Sequence, residues 1–258
     1  MFFTPRAIED DIADWVEDRF AILLEHFSAD KPVRETTLVL ATDINAESSE
    51  PEVRAEQIYR SVASHAGFAD WPVNLVVMGD EGPKDLTSGV IIQSRNTAAG
   101  TFRMTEEGNV EISFARDLLK RPVDLVATFA HELAHLLLHD RAVEEGMHTE
   151  DAELVTDLVA VYLGFGVFLS NSAFELEQFQ DGLMAGWASR RQGYLSENTL
   201  VYATALFCAI KDDGFDEARD GLKPRLQSVF DKALKQIAKR GDRMGLYELD
   251  RNPPVRET

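Results

Sequence analysis

From Thr128 to Asp140 the chain reads TFAHELAHLLLHD, within a segment that is apolar on nearly every helical face: Val123, Leu125, Val126, Phe129, Leu133, Leu136, Leu137 and Leu138. A helix of this kind belongs in a core rather than at a surface. It nevertheless carries His131, Glu132 and His135. Burying two imidazoles and a carboxylate is costly unless something inside satisfies them. His131 and His135 are four apart, so on a helix they share one face, one turn above the other. That spacing lets both rings reach one ion at about 2.0–2.1 Å. Glu132, beside His131, leans over the open side of such an ion as a general base.

A catalytic zinc usually takes three protein ligands and keeps one position for water. A third histidine six residues after the second is one solution, but that position is Arg141. His139 reads as a cation favoured by the dipole at the helix C-terminus. The next helix, TEDAELVTDLVAVYLGFG, places Glu150, Glu153 and Asp157 on one stripe that continues through the small Ala160 and Gly164. With Ala127, Ala130 and Ala134 flanking the histidines, two backbones can approach closely and Glu153 can point at the pair. Glu150, one turn earlier, is the rival ligand, and it also reads with Asp151 as a first-turn acid favoured by the dipole. Glu153 is preferred because only it has an aspartate four residues on.

The rest of the chain sets the frame. Its 258 residues, 45% hydrophobic, suffice for one sizeable core. The formal charge of −19 repels phosphate backbones and anionic membranes, which disfavours nucleic acid and membrane partners. The apolar run Leu154–Leu169 is short for a membrane span and contains Asp157, so it reads as a core helix. No basic-then-apolar leader opens the chain, and the single cysteine, Cys208, has no internal disulfide partner; both point to the cytoplasm. Cys208 itself reads as a small core hydrophobe.

Periodicity predicts a first helix capped by Thr4 with Pro5 in its first turn, and a second over PEVRAEQIYRSVASHAGF. TTLVLA, VNLVVM and GVIIQS read as strands, and TFRMTEEGNVEISFA as a hairpin turning at Glu107–Asn109. SENTLVYATALFCAIKD and LQSVFDKALKQIAKRG read as helices, the latter ending at Gly241. Lys232, Lys235, Lys239 and Arg240 read as a solvated face, and the tail YELDRNPPVRET as loose. The fold class is α+β: a small mixed sheet, then an active-site helix and a helix-rich C-terminal half. The expected division is 1–185 for the domain with the site and 186–258 for a helical segment packed on the same core.

HELAH followed by ELVTD on a later helix resembles the gluzincin zinc metallopeptidases, whose pattern is H-E-x-x-H and then E-x-x-x-D. Specific motifs of the resemblance cover about 110–170, and the upstream sheet matches only in outline. It implies a zincin-like fold of the compact cytoplasmic kind, with Zn2+ held by His131, His135 and Glu153. It makes Glu132 the base in hydrolysis of peptide bonds by metal-activated water. Asp157 would hold a ligand histidine through its second ring nitrogen. Such enzymes usually add a donor for the oxyanion. Tyr162, His148, Arg190, Arg191 and Tyr194 are available, and Tyr194 is the choice. An extended substrate, peptide or protein, would add to an edge strand, GVIIQS or NVEISFA. The alternative is a catalytically silent metal-binding or regulatory protein on the same scaffold. Oligomeric state has no signature in the sequence.

Overall fold

Alternate residues of NVEISFA are apolar, and in the computed structural model Val110–Ala115 forms a strand with Val110, Ile112 and Phe114 buried. This strand, β3, is the centre of a three-stranded mixed sheet. Val73–Met78 (β1) pairs with it in parallel, Leu75 opposite Ile112. Gly100–Met104 (β2) pairs antiparallel on the other side, Phe102 opposite Ile112 and Gly100 opposite Phe114. The structure describes residues 6–78, 100–104, 110–140, 152–173 and 195–254, so the hairpin turn and GVIIQS lie outside it. One expectation reverses here. NVEISFA is flanked by strands on both sides and is no edge; among the described residues β1 and β2 are the outer strands.

The class is α+β, and contacts divide the chain into two units. One comprises Ala41–Thr156 and Ser172–Gly193; the other comprises Met1–Leu40, Asp157–Asn171 and Tyr194–Thr258. The division falls inside a helix, between Thr156 and Asp157, and groups the N-terminal residues with the C-terminal helices.

In the sheet unit, Pro51–Ala66 (α2) packs beside Pro122–Asp140 (α3), which carries HELAH. Pro122 fits the first turn of α3, where a missing N–H costs nothing. Asp124 in that turn suits the helix dipole and pairs with Arg121 at 3.2 Å. Phe129 of α3 meets Tyr59 of α2 and Phe114 of β3 edge-on, with centroids 5.5 and 5.3 Å apart. Edge-to-face contacts add orientation to apolar burial, so this trio fixes α3 against both neighbours.

The other unit begins with Asp10–Phe27 (α1). The helix starts at Asp10, with Asp10 and Asp11 in its first turn, where negative charge suits the dipole; Thr4 and Pro5 lie outside the described residues. Phe20, Leu23, Leu24 and Phe27 are buried, whereas Ile12 is exposed. TTLVLA forms no strand. Its Val39 N–H donates instead to the carbonyl of Gly164, at 2.9 Å. Gly164 lies in a π turn, Val161–Phe165, within Ala152–Ala173 (α4). There φ is +96°, and an added Cβ would come within 2.0 Å of the Thr37 carbonyl oxygen. Gly164 thus serves a left-handed kink and the docking of 36–40, not the helix contact its small size had suggested. By length and composition α4 is apolar enough to cross a membrane, and it is largely buried in the protein. Tyr162 is core, with its hydroxyl donating to the Lys31 carbonyl at 2.7 Å.

Glu197–Lys211 (α5), Phe215–Gly221 (α6), Pro224–Arg240 (α7) and Leu246–Arg251 (α8) complete this unit. Ser196 caps α5 by accepting the Thr199 N–H. Two C-terminal expectations change. Arg240 is not on a solvated face: its guanidinium grips Glu17 at 2.6 and 2.9 Å, and Tyr202 donates to the same carboxylate at 2.6 Å. Nor is the tail loose at Asp250, which is 1% exposed. Its carboxylate accepts the backbone N–H groups of Val33 at 2.6 Å and Arg34 at 3.2 Å, and the Arg34 guanidinium donates to its carbonyl. A buried N–H that loses a charged acceptor pays its full desolvation cost.

Asp250→Ala should therefore lower unfolding stability by about 1–3 kcal/mol in urea titration. A loss below about 0.5 kcal/mol, typical of surface changes, would mean that α8 is dispensable. Cys208 is buried, and burial pushes its thiol up to about 12. Since the thiolate is the reactive form, a disulfide reagent at pH 8 should label no thiol in the native chain and one after unfolding. Rapid native labelling would contradict the buried placement.

Candidate metal centre

Helical spacing brings the two histidines of α3 together: their rings stand edge to face with centroids 4.8 Å apart. Opposite them is Glu153, in the first turn of α4. Its Oε2 lies 3.2 Å from His131 Nε2 and 3.5 Å from His135 Nε2. All three residues are buried, and their ligand-capable atoms lie within 4.8 Å of one another. The cluster that the sequence joined from two separate helices is thus gathered at one point. It can hold a metal ion.

Charge supports the grouping. Burial works to raise the Glu153 carboxyl, but the two imidazoles beside it outweigh that and hold it well below the usual carboxylate range. Glu132 behaves differently. It is 1% exposed, and burial pushes its carboxyl up, only partly opposed by His131 and His135. The ion pair with Glu153 does not satisfy every buried group. Glu132 Oε2 and His135 Nε2 have no hydrogen-bond partner among the described residues. Native interiors rarely leave such atoms unpaired without a reason. A metal ion would account for the imidazole nitrogen, and a water beside it for the carboxylate oxygen. The donor set, two imidazoles and one carboxylate with no thiolate, suits zinc better than calcium or magnesium.

Two further residues shape the site, and sequence reasoning had passed over both. Thr156, fully buried, lies three residues after Glu153 on the same helical face, with its Oγ1 3.3 Å from His135 Nδ1. The spacing was legible, but a threonine in an apolar helix attracts no notice. Gly100 opens β2 directly against α3. A Cβ there would lie 2.6 Å from Thr128 Cγ2 and 2.8 Å from Glu132 Oε1. Only the missing side chain lets the strand run this close to Glu132. Asp157, expected to orient a ligand histidine, is buried, and its Oδ2 accepts the Leu195 N–H at 2.9 Å. Tyr194, His148, Glu150, Arg190 and Arg191 lie outside the described residues.

Comparison with known proteins returns no match among family models, curated proteins or solved structures. The geometry of the site is therefore the basis for reading its chemistry.

Gly100→Ala should cost about 1–3 kcal/mol of stability through overpacking. Thr128→Ser, which removes the nearer methyl, should recover part of that loss when the two are combined. A Gly100→Ala chain as stable as wild type in thermal unfolding would show that β2 is not seated against α3.

Proposed function

We propose that this chain is a zinc-dependent peptidase of the gluzincin kind, with His131, His135 and Glu153 as metal ligands and Glu132 as general base. The observation that carries the reading is the unpaired, buried Oε2 of Glu132 beside three converging donors. A site built only to hold metal has no use for a fourth side chain that is an unpartnered carboxylate, which is costly to bury. The sequence pattern supports the same reading, since HELAH and ELVTD supply both halves of the gluzincin signature.

Zinc held there would supply Lewis acidity, bringing the pKa of water from 15.7 to about 7 and polarising a carbonyl. The remaining work falls to the chain. Glu132 takes a proton at Oε2, holds it inside a water-poor pocket and delivers it to the departing amine. Its neighbours restrict where that carboxylate can go: Gly100 of β2 lies directly against Oε1. β2 is an outer strand, the type of element along which an extended peptide can be laid. Asp157 and Tyr194 keep their proposed parts, the first as support for a ligand and the second as oxyanion donor.

Elemental analysis of chain purified without added metal, followed by assay on a quenched-fluorescent peptide mixture, tests this. Wild type should carry about one zinc, the usual stoichiometry of such a site, and Glu153→Ala little. Glu132→Gln should keep its zinc and lose at least about 100-fold in hydrolysis, the lower range for a general base. Absence of metal from folded wild type, even after zinc is offered, would end the metal reading. Full zinc with no effect of Glu132→Gln on hydrolysis would end the peptidase reading and leave the silent metal-binding scaffold.

A further inference from the structure

A hydroxyl has one proton to give and lone pairs with which to accept. The Thr156 Oγ1 stands between two groups: the Ala152 carbonyl oxygen at 2.9 Å and His135 Nδ1 at 3.3 Å. A carbonyl can only accept, so the shorter contact takes the Thr156 proton. This is the usual bond of a helical threonine to the carbonyl four residues earlier. With its proton committed, Oγ1 can meet His135 only as an acceptor. The hydrogen of the neutral imidazole is thereby drawn to Nδ1, and the lone pair is left on Nε2. His135 Nε2 is the buried ring nitrogen without a hydrogen-bond partner, 3.5 Å from Glu153 Oε2.

We infer that Thr156 is a positioning residue that sets the His135 tautomer and so presents Nε2 as a metal donor. The inference rests on the metal reading above, but the proton arrangement belongs to this chain with or without an ion. Groups that hold the far nitrogen of a ligand histidine fix its ring orientation and its basicity. Here a hydroxyl whose own proton is spoken for does this, one residue before the aspartate that the sequence had put forward. Since Thr156 and Glu153 share a helical face, one turn of α4 supplies both a ligand and the support for another ligand.

Thr156→Val keeps the shape and removes the hydroxyl, Thr156→Ala is a second hydroxyl-free variant, and Thr156→Ser keeps the hydroxyl. Zinc affinity of the full chain is measured by competition with a chromophoric chelator. The His135 tautomer is read from ring nitrogen shifts of the metal-free chain by long-range 15N–1H NMR. Thr156→Val and Thr156→Ala should weaken zinc by about 10–100-fold, the usual effect of losing such a partner, and Thr156→Ser by far less. Metal-free wild type and Thr156→Ser should show the Nδ1–H form, and the hydroxyl-free variants should shift toward Nε2–H, donating to Glu153. Equal zinc affinity in all four chains, or one tautomer throughout, would overturn the inference. If wild type takes no zinc, the metal reading falls while the tautomer comparison still decides the role of Thr156.

Discussion

Desolvation of three polar side chains in one apolar helix governs the sheet unit. α3 is buried along almost its whole length, so His131, Glu132 and His135 have little recourse to water. Such groups must find partners inside or make the fold costly. Glu153 is the answer from α4 for His131, at 3.2 Å, and its carboxylate remains ionised beside the two rings despite burial. Glu132 receives no equivalent, with Oε2 left unpaired.

The packing around α3 serves the same end. Phe129 locks the helix between Tyr59 and Phe114, setting the rotation that points the histidine face toward α4. β2 closes the Glu132 side through Gly100. Rigid support of this kind is what a site needs if its groups are to be held to fractions of an ångström. The three residues that could hold an ion therefore sit on regular elements.

Much of this was legible in the sequence, because burial cost and helical period are local properties. HELAH announced a buried polar cluster, and the acidic stripe of the next helix named Glu153 before any contact was known. What escaped reading depended on partners distant in the chain. TTLVLA has strand composition, but a lone extended segment docking on a kink looks the same until Gly164 is seen at φ +96°. NVEISFA reads as a strand, but its position in the sheet is a tertiary fact. Asp250 looked like tail because its value lies in two amides more than 200 residues upstream. Thr156 was hidden by its ordinariness: a helical threonine bonded to its own backbone gives no sign that its lone pairs are in use.

The same long-range ties bear on how the chain is made. Gln236 holds the backbone of Ala7 and Ile8 at 2.9 and 3.0 Å, while Asp250 holds Val33. The N-terminal segment thus waits for partners that lie more than 200 residues further along the chain. Residues 41–156, by contrast, hold the whole sheet, α2, α3 and Glu153 in one run of chain. Non-local closures are slow, and domains tend to form as their residues leave the ribosome. The cluster of His131, His135 and Glu153 can therefore come together on a growing chain before the distant partners of the N-terminal segment have been made.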